Sequence, residues 1–157
     1  ASFVPITILQ HAECNLSDAR FSPDERWIVL VVQVENNISA PSRIIIAPYR
    51  EDGSLEEKEW IAITDESALN NNPRWSPDGG MICFTSDRDG YRCLWAQRVD
   101  LKTRKPVGDP LAIYHFHRAG LLMQRFGPEL LAIAAARDKI VFNLRESTGN
   151  IWMPRYP

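Results

Sequence analysis

Short apolar runs alternate with polar, turn-forming stretches along the whole chain, and the runs group into three units of strands. In the first unit strands are expected near 17–21, 27–34, 42–49 and 59–63, and in the second near 71–75, 80–86, 92–99 and 110–115. The third has strands near 130–135, 139–144 and 150–153, with no fourth before the sequence stops. Stretches 50–58 and 100–109 are polar and read as exposed loops, and 116–128 reads as a long loop or a short helix.

The units repeat in detail. Ala19-Arg20-Phe21-Ser22-Pro23-Asp24-Glu25 matches Pro73-Arg74-Trp75-Ser76-Pro77-Asp78-Gly79 at an offset of 54 residues, each followed by an apolar run. Proline presets φ for a turn, Ser and Asp side chains bond nearby backbone N–H groups, and Gly79 tolerates positive φ. The chain therefore reverses tightly between two strands. A second signature joins the strand at Phe84 to Trp95 through an Asp-Arg-Asp-Gly turn, and it recurs from Phe142 to Ile151-Trp152, 58 and 57 residues on. In the first unit the corresponding hairpin has a longer tip, 35–42.

Composition narrows the class. Hydrophobic residues at 45%, charged residues at 24% and a net charge of −2 describe an ordinary globular chain with no pull towards polyanions, so nucleic acid is not an expected partner. The longest apolar run, 130–136, is seven residues, far short of a bilayer span of about 20. No membrane insertion is expected. Three cysteines without a CxxC spacing, Cys14, Cys83 and Cys93, read as buried or half-buried thiols, with a Cys83–Cys93 bridge as the sharper alternative.

The run from Pro73 to Trp95, with its Arg-Trp-Ser-Pro-Asp-Gly turn, Ser86-Asp87-Arg88-Asp89-Gly90 tip and closing aromatic, resembles the TolB-like, WD-type SPDG repeats of bacterial β-propellers. The resemblance is good in the first unit and partial in the third, where Ala134-Ala135-Ala136-Arg137-Asp138-Lys139 replaces the turn. It implies an all-β propeller segment of about three four-stranded antiparallel blades, half of a six-bladed ring. The blades would cover about 16–66, 67–116 and 117–153 of one segment, 1–157, the last completed by an outer strand near 4–9. Three blades do not close a ring, so a homodimer is expected, with residues near 4–9 of each chain completing the partner's last blade; truncation from a longer ring is the alternative. Relatives of this kind are bacterial, often periplasmic or membrane-anchored.

Such a repeat builds packing and names a fold rather than a ligand, so the expected function is non-catalytic binding or scaffolding of a protein or ligand. The alternatives are a gating propeller of a serine peptidase and a purely architectural piece. Propeller geometry puts recognition on hairpin tips and connecting loops, which nominates Glu35, Asn36, Asn37, Asn70, Asn71, Asn72, Arg88, Arg118, Arg145 and Glu146. His115 and His117, two apart, face one way on a strand and have the residue type to share a metal, with His11 as third ligand by strand equivalence. Weighed against that, they read as partial core or rim residues, and neither a metal nor a cofactor is expected. Asp87, Arg88 and Asp89 read as turn caps, with Arg88 bridging to a neighbouring blade. Trp27, Trp75, Trp95 and Trp152 read as packing, and Trp60, beside an acidic stretch, as an exposed contact for a partner.

Overall fold

The computed structural model describes residues 5, 7–34, 37, 39–51, 56–117, 121–123 and 133–146. The protein is all-β, with two four-stranded antiparallel sheets built in succession. The first takes β1 (Asn15–Phe21), β2 (Trp27–Gln33), β3 (Arg43–Pro48) and β4 (Ile61–Ala62) in that order, and the second takes β5 (Asn71–Trp75), β6 (Met81–Ser86), β7 (Cys93–Val99) and β8 (Pro106–Tyr114). Beyond them lie β9 (Leu121–Leu122), β10 (Ile133–Ala135), β11 (Ile140–Phe142) and β12 (Arg145–Glu146). These form two two-stranded pairs, β10 with β11 and β12 with β9, so among the described residues the third unit has no four-stranded sheet. Its expected last strand, 150–153, lies outside them.

The 54-residue offset extends to the backbone. A bulge falls between Ser17 and Arg20 in β1 and between Asn71 and Arg74 in β5, and Asp18 (φ 52°) matches Asn72 (φ 56°). In each turn the Ser hydroxyl donates to the Asp carboxylate at 2.5 Å, Ser22 to Asp24 and Ser76 to Asp78. The same hydroxyls accept from the N–H of Trp27 (3.0 Å) and Met81 (2.9 Å). Glu25 (φ 57°) and Gly79 (φ 70°) occupy the same left-handed position. These hydrogen bonds hold both Asp24 and Asp78 below the ordinary carboxylate range, the serine contact being the largest cause.

Strands β2 and β3 are apolar on both faces because both faces are covered. Val29, Val31, Ile44 and Ile46 pack with Ile63 and with Trp75, Ile82, Phe84 and Val99 of the second sheet in one buried cluster. The opposite face, Ile28, Leu30, Val32, Ile45 and Ala47, is covered by Ile8, Leu9, Cys14, Leu16, Tyr49 and Trp60. Ile8 and Leu9 were expected in an outer strand near 4–9 that completes another sheet. The described residues of that segment carry no strand, since the apolar face of their own first sheet is the nearer burial site.

Polar side chains join the sheets. Arg74 pairs with Asp18 at 3.2 Å and donates to the Ile133 carbonyl at 2.9 Å, so it touches the first sheet and the third unit together. Arg104 is buried, donates to the Gly79 carbonyl at 2.9 Å and to Asp24 at 2.8 Å, and lies over the rings of Trp27 (5.9 Å) and Trp75 (5.5 Å). Strand β8 begins at Pro106 rather than near 110. Pro106 and Gly108 look like loop residues, yet the ladder continues past a register shift where the buried Gln97 amide donates to the carbonyls of Val107 (3.2 Å) and Gly108 (3.1 Å).

Candidate functional site

The tip joining β6 to β7 and the end of β8 meet because the β7–β8 ladder pairs Leu94 with Tyr114. Cys93, one residue before Leu94, therefore comes beside His115 and Phe116, the residues that follow Tyr114. The Cys93 sulfur accepts from the Phe116 N–H at 3.4 Å. Asp89, in the tight turn that Gly90 (φ 88°) allows, aims its Oδ2 at both histidines, 2.8 Å from His115 Nδ1 and 3.0 Å from His117 Nε2. The two ring nitrogens are 3.3 Å apart. One donor atom from each of Asp89, Cys93, His115 and His117 lies within 4.8 Å of all the others.

Electrostatics at this tip follow from burial. Cys93 is fully buried, and desolvation first, then the Asp89 carboxylate, pushes its thiol pKa up. Desolvation acts upward on Asp89 as well, but the Tyr91 N–H and the two imidazoles outweigh it and hold the carboxyl below its ordinary range. Tyr91 and Trp95 wall the cluster, with ring centroids 4.6 Å from His117 and 5.5 Å from His115. Cys83 is a separate matter. Its thiol is buried and pushed up to about 11 by desolvation. All three cysteines are free, which leaves the Cys83–Cys93 bridge unformed.

His11 is not part of the cluster. Its Nδ1 accepts from the N–H groups of Glu13 (3.1 Å) and Cys14 (3.0 Å), and its Nε2 lies 3.2 Å from Glu57. Strand equivalence placed it with the other histidines; the segment's packing on the first sheet takes it away.

The nominated rim residues divide sharply. Asn70, Asn71 and Asn72 are buried. Asn70 donates to the carbonyls of Ser42 (2.7 Å), Ala68 (3.0 Å) and Asp65 (3.1 Å), so it welds the link between the sheets. Asn72 donates to Thr85 Oγ1 at 3.3 Å. Arg88 donates to Asn70 Oδ1 at 3.2 Å and to Ser86 Oγ at 3.1 Å, and its guanidinium lies over Phe84 (5.3 Å) and Trp95 (4.9 Å). Asn37 is exposed at the β2–β3 tip, where its carbonyl accepts from Gln33 at 2.7 Å. Arg145 and Glu146 form β12 against Leu122 and Leu121, while Glu35, Asn36 and Arg118 lie outside the described residues.

Trp27, Trp75 and Trp95 all pack in or against the first core cluster, and Trp152 lies outside the described residues. Trp60 packs on the outer face of the first sheet, with its ring 5.5 Å from His11 and under Arg43 at 5.9 Å, rather than standing free for a partner. A cleft of about 900 Å³ opens between the second sheet and the β10–β11 hairpin, lined by Met81, Cys83, Tyr114, Arg137, Lys139 and Phe142 among others.

Sequence reasoning found two members of the cluster and missed two. Asp89 was absorbed into the turn and Cys93 into the core. The signal that unites them is antiparallel pairing: a turn residue and a strand-start residue on one side face the residues after the strand end on the other. Arg104 was missed because it sits in a loop and has no repeat motif of its own. In comparison with known proteins, the chain matches no family model and no curated protein.

Proposed function

We propose that the protein is a non-catalytic binding and scaffold module, a segment of about three propeller blades that recognises a protein or ligand through its tips and connecting loops. The observation that supports this reading is where the repeated polar residues go. Ser22, Asp24, Ser76 and Asp78 close the turns, and Arg74, the counterpart of Arg20, binds one sheet to the next through Asp18, as the unrepeated Arg104 does through Asp24. The repeat is thus consumed by architecture, and the non-repeated tips are left for recognition on a rigid support.

A ring of such sheets takes at least four blades to close, and a second copy supplies the remainder in this reading. Because Ile8 and Leu9 already lie on their own first sheet, the copies are expected to meet through sheet faces rather than by exchanging that segment. Multi-angle light scattering tests the assembly. A mass near twice 17.9 kDa is expected, and a persistent 17.9 kDa particle with intact strand content contradicts the two-chain ring. Recognition is tested by changing Asn37, Arg145 and Glu146 together to Ala: co-purifying partners should be lost with the unfolding midpoint unchanged. Retained partners would move recognition elsewhere.

A further inference from the structure

We propose that Asp89, Cys93, His115 and His117 form a four-coordinate site for a borderline divalent transition-metal ion, of which Zn²⁺ is the best fit. The nitrogen and oxygen donors already make a triangle with sides of 2.8, 3.0 and 3.3 Å. A tetrahedral ion with bonds of about 2.0–2.2 Å to nitrogen and oxygen needs donor separations of roughly 3.3–3.5 Å. The triangle therefore has to widen by only a few tenths of an ångström on most of its edges. The Cys93 sulfur, within 4.8 Å of the other three donors, supplies the fourth corner.

Donor chemistry selects the ion. One thiol, two imidazoles and one carboxylate suit zinc and its neighbours, whereas magnesium and calcium ask for oxygen alone. The donors are also held in advance. Asp89 sits in the hairpin turn and Cys93 opens β7, the histidines follow the end of β8, and the β7–β8 ladder fixes one pair against the other. Access comes from one side only: the side chains of His115 and His117 are 45% and 42% exposed, while Cys93 is fully buried.

Four protein donors close the coordination shell, which marks a structural site rather than one that keeps a position for substrate. Its place in the fold gives it a task. Cys93 belongs to the cluster of Leu94, Phe116, Met123 and Ile133, so a bound ion would fasten the end of the second sheet to the start of the third unit. Binding to the folded chain alone would raise its stability by mass action.

The test uses the untagged 157-residue chain, stripped with a chelator and titrated with Zn²⁺ by calorimetry and with Co²⁺ by absorption. One ion per chain is expected, with Co²⁺ showing intense tetrahedral d–d bands and a thiolate charge-transfer band that Cys93→Ser removes. His117→Ala should weaken Zn²⁺ binding by at least about 100-fold, more than the loss typical of outer-shell partners. His11→Ala should bind as the parent does. Zn²⁺ should raise the thermal midpoint of the parent chain and leave that of the His115→Ala/His117→Ala variant unmoved. No stoichiometric uptake by the parent chain, a six-coordinate Co²⁺ spectrum without a thiolate band, or an equal loss in His11→Ala would each overturn the proposal. The parent-chain spectrum depends on no substitution, so a variant that fails to fold cannot decide the matter.

Discussion

Arg43 and Cys93 stand at the same position of two copies of one frame. Arg43 pairs with Val32 across β2–β3 and Cys93 with Ser86 across β6–β7, and Val32 and Ser86 are 54 residues apart. In the first sheet this position carries a cation that donates to Glu57 at 3.3 Å, lies 3.4 Å from the Glu66 carboxylate and stands over Trp60. In the second it carries a thiol facing Asp89, His115 and His117. The turns, bulges and left-handed residues repeat across the two sheets, whereas the start of the third strand and the tip before it do not. Turn geometry lives in what is copied, and the side chains gathered at the tips in what is not.

Substitutions that treat the two copies differently break or sharpen this comparison. The largest effect is expected at the pin between them. Arg104→Met keeps an unbranched side chain but removes the guanidinium over Trp27 and Trp75 and its bonds to Asp24 and the Gly79 carbonyl, and should cost about 2–4 kcal/mol in urea unfolding. A cost under about 0.5 kcal/mol would mean the sheets hold together without it.

The two turns come next. At Gly79 an added Cβ would lie 3.2 Å from the Arg104 guanidinium in a backbone conformation with φ 70°, so Gly79→Ala should destabilise by about 1–2 kcal/mol. Ser76→Ala removes the hydroxyl that bonds both Asp78 and the Met81 N–H, at about 1 kcal/mol near neutral pH. Because Asp78 sits below its unfolded pKa, its contribution is complete above the unfolded carboxylate value of about 3.9 and is lost as pH falls through the folded value. Ser76→Ala should therefore lose less stability than the parent chain between pH 5 and pH 2, roughly the range where such carboxylates titrate. Equal acid slopes would contradict the assignment. The smallest effect has the opposite sign: Glu25→Gly relieves the left-handed residue in the first turn and should stabilise by a few tenths of a kcal/mol at most, since glycine also frees the unfolded chain.

How much of this was legible beforehand follows from the range of the forces involved. The eight strands of the first two units fall near their expected positions because each depends on a local apolar run and a local turn. The Ser-Pro-Asp turns were legible in their bonds from backbone N–H groups to the Ser and Asp side chains for the same reason, but not in the bond between the two side chains. Strand β8 was read late, since Pro106 and Gly108 imitate a loop until the Gln97 amide on the neighbouring strand is known. Asn70 looked like a rim residue because it lies in the connection between two units; its burial is decided by Ser42, Ala68 and Arg88, which only the packed sheets bring to it. His115 and His117 were visible as a pair, but Asp89 and Cys93 join them only through the register of β7 and β8.

A crystal structure of the 157-residue chain tests the central claim most directly, through the placement of the two repeated sheets. The account predicts β1 and β5 side by side, as they lie here, with the Arg104 guanidinium over both Trp27 and Trp75 and bonded to Asp24. Sheets stacked as a sandwich with β1 and β5 on opposite edges, and Arg104 turned to solvent, would contradict it.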